Sequence, residues 1–170
     1  WMAVVDVATW ELVTKIPTGD TPHPGSGAVW RANGKDYAAT VHAGEGKITV
    51  WDLGDNSIAA EIETSGPGLF IRAHHESPTV WADTMFADPA NRIYVFDGST
   101  FDVVKVIEEG IQPLHPEFTH DGRFVYIADW QGNVVRVYDA RTFEKVAEVG
   151  GVETPTGIFN TSRRQETLGH

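Results

Sequence analysis

Along most of this chain apolar and polar residues alternate with the period of a strand, in short runs punctuated by Gly, Pro, Asp and Asn. No stretch sustains a helical period. Four segments share one shape: VVDVATWELVTKI from Val4, TVWDLGDNSIAAEI from Thr49, YVFDGSTFDVVKVI from Tyr94 and RVYDARTFEKVAEV from Arg136. Each is a β-branched and aromatic run that ends in Asp, then a turn, then an alternating strand. The anchors Asp6, Asp52, Asp97 and Asp139 are 46, 45 and 42 residues apart. That step is one four-stranded propeller blade. An Asp at the head of the turn suits a hairpin, because its carboxylate can bond backbone amides two residues on. A β-sandwich also has short strands, but it does not repeat their order at a fixed step.

The pattern predicts an all-β fold, a β-propeller of four-stranded antiparallel blades. Residues 1–170 read as part of one propeller domain. A blade remnant covers 1–18, blades cover about 19–64, 65–109 and 110–150, and the first strand of a further blade covers 152–161. In the last full blade, Pro113–Phe118 reads as the innermost strand, Phe124–Ala128 as the second, Val134–Tyr138 as the third and Phe143–Val149 as the outer one. A closed ring takes about four to eight blades, so further sequence is expected to complete it. An open arc would leave unpaired strand edges, a route to self-association.

Composition sharpens this picture. With 41% apolar and 11% aromatic residues the chain can build a core. A net charge of −11 argues against nucleic acid as a partner, since phosphate binding needs a basic face. No apolar run is long enough to predict a membrane span, and no leader pattern follows Trp1. The absence of cysteine removes disulfides, thiolate zinc sites and any CxxCH attachment of a c-type haem. No zinc-spaced histidine pair, nucleophile elbow or P-loop occurs, so no metal-ligating residue is assigned.

In a propeller the turn entering each innermost strand lies at one rim, near the axis. Counting 17 or 18 residues from each anchor gives His23, Phe70, His115 and Thr156. Their surroundings are Thr21-Pro22-His23-Pro24-Gly25, Gly66-Pro67-Gly68-Leu69-Phe70, Gln112-Pro113-Leu114-His115-Pro116 and Thr154-Pro155-Thr156-Gly157. Pro and Gly stiffen each turn. Two imidazoles, a phenyl ring and a hydroxyl around one axis suit a flat, partly polar ligand. The same residues also suit plain blade-entry turns with space-filling histidines. His42 falls at the end of a second strand, at the repeat position of Asp129, and reads as a turn stabiliser. Asp83 and Asp129 read as turn residues, and His74 and His75 as solvated groups on the opposite rim.

Taken together, Thr21-Pro22-His23-Pro24-Gly25-x-Gly27, Gly68-Leu69-Phe70-Ile71-x-x-His74, His115-Pro116-Glu117-Phe118 and Thr154-Pro155-Thr156-Gly157-x-Phe159-Asn160 resemble the C-terminal half of the haem d1 domain of cytochrome cd1 nitrite reductases. They stand in the family's order, over essentially the whole chain. The family also includes propellers that assemble haem d1, and the ending Thr156 to Arg164 is in part closer to those. The resemblance implies an eight-bladed whole protein, haem d1 as cofactor, nitrite as substrate and a periplasmic place in denitrification. It also implies an electron-donor protein or c-haem domain as partner. It makes His23 a distal, proton-supplying histidine and thus the candidate catalytic residue. Phe70 becomes an aromatic beside the macrocycle, and Thr156 and Gly157 contacts to its periphery. His115 stands where the reductases have Gln, a polar contact to cofactor carboxylates. Ser26 stands where the family has Arg, a bidentate partner for such a carboxylate. The axial ligand and second distal histidine would lie upstream, so these 170 residues alone are expected to hold no haem d1 tightly.

Three functions follow. The first is a nitrite-reductase-like oxidoreductase domain with His23 as proton donor, a role that suits histidine as a residue type because its ordinary pKa is about 6.5. The second is a haem d1 biosynthesis or maturation protein. The third is a cofactor-free propeller scaffold.

Overall fold

The computed structural model describes residues 1–23 and 27–158. Among them the chain forms fourteen strands and no helix. β1 (Met2–Val5) and β2 (Leu12–Ile16) make a hairpin. β3 (Ala28–Ala32), β4 (Lys35–Val41), β5 (Lys47–Asp52) and β6 (Ile58–Glu63) form the first full sheet. β7 (Ile71–Arg72), β8 (Thr79–Asp83), β9 (Arg92–Asp97) and β10 (Val103–Glu108) form the second. β11 (Pro113–Phe118), β12 (Phe124–Asp129), β13 (Val134–Asp139) and β14 (Lys145–Gly150) form the third. In each sheet the strands lie side by side in chain order and pair antiparallel. This is the meander of a propeller blade.

Neighbouring blades pack face to face, and strand periodicity decides which face meets which neighbour. In β8 all five residues are buried. Val80 and Ala82 join Trp30, Tyr37, Val50 and Phe96 between the first and second sheets. Trp81, on the other face, joins Val95, Phe118, Ile127 and Tyr138 between the second and third. Burial also falls from axis to periphery: all of β11 is buried and all of β14 exposed. β3 and β11 both touch β7, so the first strands line the axis.

The anchor aspartates do what their position predicts. Asp6, Asp97 and Asp139 each accept the amides two and three residues on, at 2.7–3.0 Å, and Asp52 accepts Gly54 N–H at 2.8 Å. Each anchor's carbonyl also takes the N–H of the residue four positions on. Those residues are Trp10, Asn56, Phe101 and Phe143, all with φ of 60–66°. The left-handed corner of the turn is thus filled without a glycine in all four repeats.

The strand expected over 152–161 is not formed over 152–158, and residues 159–161 lie outside the described part. A strand needs a hydrogen-bonding neighbour, and no second strand is available to it among the described residues.

Candidate functional site at the axial rim

The rim turns bring the candidate residues into one row. Pro22 bridges to His42, and His23 N–H donates to the Val41 carbonyl at 3.1 Å, which pins the first turn to the end of β4. The His23 ring stands edge-on to Phe70, with centroids 5.8 Å apart. Phe70 in turn stacks on His115 at 4.3 Å and 15°. Gly157 closes the row: a Cβ there would run into His115 Nδ1. Only a residue without a side chain approaches the imidazole so closely. Thr156, its neighbour, is exposed. Three blades and the segment after β14 therefore contribute His23, Phe70, the buried His115 and Gly157 to one row.

Hydrogen bonds fix both imidazoles, in different ways. His23 Nδ1 lies 2.7 Å from the Leu69 carbonyl. A carbonyl only accepts, so Nδ1 carries the proton. In the neutral ring Nε2 then keeps its lone pair, and it makes no hydrogen bond among the described residues. His115 is opposite in logic. Arg72 Nη2 approaches its Nε2 at 3.0 Å, and a guanidinium has no acceptor, so Nε2 accepts and the neutral ring is protonated on Nδ1. Arg72 is fully buried in β7. It also donates to Glu117 Oε2 at 3.1 Å and to the Ile71 carbonyl at 2.8 Å, so its charge is paired. His23 can accept a proton at the rim, whereas His115 is buried with its Nε2 committed to Arg72.

His115 is held in an uncommon backbone state. Its φ is 54°, at a bulge where the β11–β12 register shifts between Leu114 and Glu117. A left-handed histidine inside a strand costs energy and persists only where its surroundings over-determine it. Its N–H, turned out of the ladder, donates to Asp83 Oδ2 at 3.0 Å. Burial pushes the Asp83 carboxyl up to about 6, although the N–H groups of His115, Leu69, Phe70 and Met85 favour its ionised form. At the same repeat position, Asp129 is also raised by burial, but Arg136 at 2.6 Å and the amides of Gln112 and Ile111 outweigh that and hold it below the usual carboxylate range.

His42, read as a turn stabiliser, is instead a buried group beneath the rim. Its Nε2 pairs with Thr49 Oγ1 at 2.9 Å, its carbonyl takes the N–H of Gly68, and burial lowers its basicity. His74 is not solvated either. Its Nδ1 accepts Glu76 N–H at 3.1 Å, so the proton sits on Nε2, which donates to the His120 carbonyl at 3.1 Å and ties two blades together. His75 is exposed. Pro24, Gly25, Ser26 and the run from Phe159 to Arg164 lie outside the described residues, so the Arg-to-Ser departure is a matter of sequence alone.

Sequence reasoning missed Arg72 and Glu117 and under-read Asp83. The signals were present. Arg72 and Glu117 are lone charges inside apolar innermost strands, and Asp83 shares its slot with His42 and Asp129.

The sequence of this propeller matches the family described as "Cytochrome D1 heme domain" over residues 2–164. The chain belongs to that family. Among relatives of this haem d1-domain chain, the dihydro-heme d1 dehydrogenase of Pseudomonas aeruginosa is 32% identical over 95% of the chain and 33% of that protein. The nitrite reductase of Stutzerimonas stutzeri is 28% identical over 94% of the chain and 35% of that protein. A solved structure of the dihydro-heme d1 dehydrogenase NirN in complex with DHE superposes with a TM-score of 0.89 at 32% identity, over 95% of this chain and 35% of that one. The haem d1-domain chain thus spans about a third of the length of these relatives.

Proposed function

We propose that this haem d1-domain chain serves haem d1 maturation, acting on dihydro-haem d1 as a dehydrogenase, rather than reducing nitrite. The observation that carries the reading is the fixed tautomer of His23: with Nδ1–H held by Leu69, Nε2 keeps its lone pair and can serve as a base. Greater identity to the dehydrogenase than to the nitrite reductase supports it, as does His115 standing where the reductases have Gln.

The residues suit a flat, acidic macrocycle. Phe70 offers a ring to its periphery, the buried His115 ring backs it by stacking, and Gly157 leaves room beside that stack where a side chain would intrude. Dehydrogenation removes two protons and two electrons from the substrate. His23 Nε2 takes one proton, solvent the other, and a one-electron acceptor outside this chain, a c-haem domain or protein, takes the electrons in turn. General-base help of this kind typically contributes about a hundredfold or more. The reading carries a periplasmic location with it.

The test is incubation of the whole protein with dihydro-haem d1 and an artificial electron acceptor, followed by absorption and mass. Loss of two hydrogens from the macrocycle is expected. Nitrite turnover with an artificial donor, without dehydrogenation, would restore the reductase reading. Failure to bind the macrocycle at all would leave the scaffold.

A further inference from the structure

One buried carboxylate reaches both ends of the rim row. Asp83 Oδ1 accepts Leu69 N–H at 2.8 Å and Phe70 N–H at 3.3 Å, and Oδ2 accepts His115 N–H at 3.0 Å. The Phe70 N–H and the Leu69 carbonyl belong to one rigid trans peptide and point in opposite directions. Holding that N–H therefore aims the carbonyl that takes the His23 proton at 2.7 Å. The chain of contacts runs from the His23 ring through one peptide and one carboxylate to the backbone of His115.

The repeat shows that this exceeds a turn clamp. Asp129, in the equivalent slot, bonds Ile111, Gln112 and Gly132 of its own blade and takes Arg136 as counter-charge. His42 offers the following blade only its carbonyl. Of these three residues, Asp83 alone sends a side-chain oxygen across the blade joint, and the atom it meets is the amide of a residue in the left-handed region. We propose that Asp83 is the positioning residue of the rim site, setting His23 through the Leu69–Phe70 peptide and His115 through its own N–H. The consequence for turnover rests on the dehydrogenase reading; the consequence for the two imidazoles does not.

The test is Asp83→Asn in the whole protein. Asparagine has one acceptor oxygen and one NH2 group, so either the Leu69–Phe70 pair or His115 must face a donor. In ligand-free protein labelled with 15N-histidine, and assigned with His23→Gln and His115→Gln, wild type is expected to show His23 as a single tautomer protonated on Nδ1. In Asp83→Asn the His23 signal becomes a tautomer mixture or the His115 signal shifts, while His74 stays unchanged. With dihydro-haem d1 as substrate, kcat falls about tenfold or more, with KM changed far less. A folded Asp83→Asn protein with both histidine signals as in wild type overturns the proposal. Should the variant not fold, hydrogen exchange of the wild type decides. The amides of Leu69, Phe70 and His115 are expected to exchange at one common, slow rate, because they share one acceptor group; unrelated rates overturn the proposal. If wild type shows no dehydrogenation, the functional reading fails while the histidine spectra still judge Asp83.

Discussion

Arg72 and Glu117 face each other across the joint between two neighbouring blades, at 3.1 Å, with both side chains almost wholly out of water. One comes from β7 and the other from β11, so this ion pair joins the innermost strands directly beneath the rim. Removing one member strands the other as an uncompensated buried charge. Arg72→Met is therefore expected to cost about 3–5 kcal/mol, and the double variant Arg72→Met/Glu117→Leu much less than the sum of the singles. Urea denaturation of the four proteins of the cycle measures the coupling.

His23→Ala should leave the fold intact, since the ring is only half buried, and lower ligand affinity little. Turnover should fall about a hundredfold or more, as for loss of a general base. Initial rates against substrate concentration, with melting curves, check both parts. The exposed His75 on the opposite rim is the proper control and should give wild-type rates as His75→Ala. His42→Ala does not serve, because it deprives a buried Thr49 hydroxyl of its partner and should destabilise by about 1–3 kcal/mol.

Gly157→Ala places a methyl where the His115 ring already is. That ring cannot easily retreat, being stacked on Phe70 and bonded to Arg72. The expected cost is about 1–3 kcal/mol of stability, as for overpacking. A displaced His115 resonance in the 15N-histidine spectrum should accompany it.

The acid behaviour of Asp83 can be isolated by difference. Its carboxyl is raised to about 6 in the folded protein against an ordinary value of 3.8, so the folded state binds that proton more tightly. The resulting stabilisation is complete below about pH 4 and is lost as the pH rises through about 6. Two pH units correspond to roughly 3 kcal/mol at most. The stability of wild type relative to Asp83→Asn is thus expected to fall between pH 4 and 6. Urea midpoints of both proteins across that range test it, and a flat difference would contradict the shift. Asp129 and the turn aspartates, held low in both proteins, cancel.

Much of the architecture was legible because it rests on local chemistry repeated at a step. The Asp at the end of each third strand announces its own turn, and the count from it lands on His23, Phe70 and His115. The sequence was mute where the deciding contact is between blades. The partnership of Arg72 with Glu117 spans 45 residues and two blades, and that of Asp83 with the His115 amide spans 32. The left-handed backbone at His115 was equally hidden, because glycine, the usual signal, is absent there. Residues 152–158 form no strand for the converse reason: strand formation depends on a neighbour, which local sequence does not report.

The four outer hairpins have a consequence for how such a chain diversifies. Each closes on itself: one aspartate supplies the side-chain and main-chain acceptors for its own turn, and asks nothing of the adjoining blade. The bonding within each turn is therefore local and free to vary on its outer side, whereas its inner side is tied to the neighbour: the Gly98 carbonyl takes Trp30 Nε1–H at 2.8 Å, and Phe101 and Phe143 pack on Tyr37 and Trp81. The joint at Asp83 has no such freedom, because its second oxygen is committed to the next blade. Novelty in this protein has room to accumulate at the circumference, while the hub is inherited as a set.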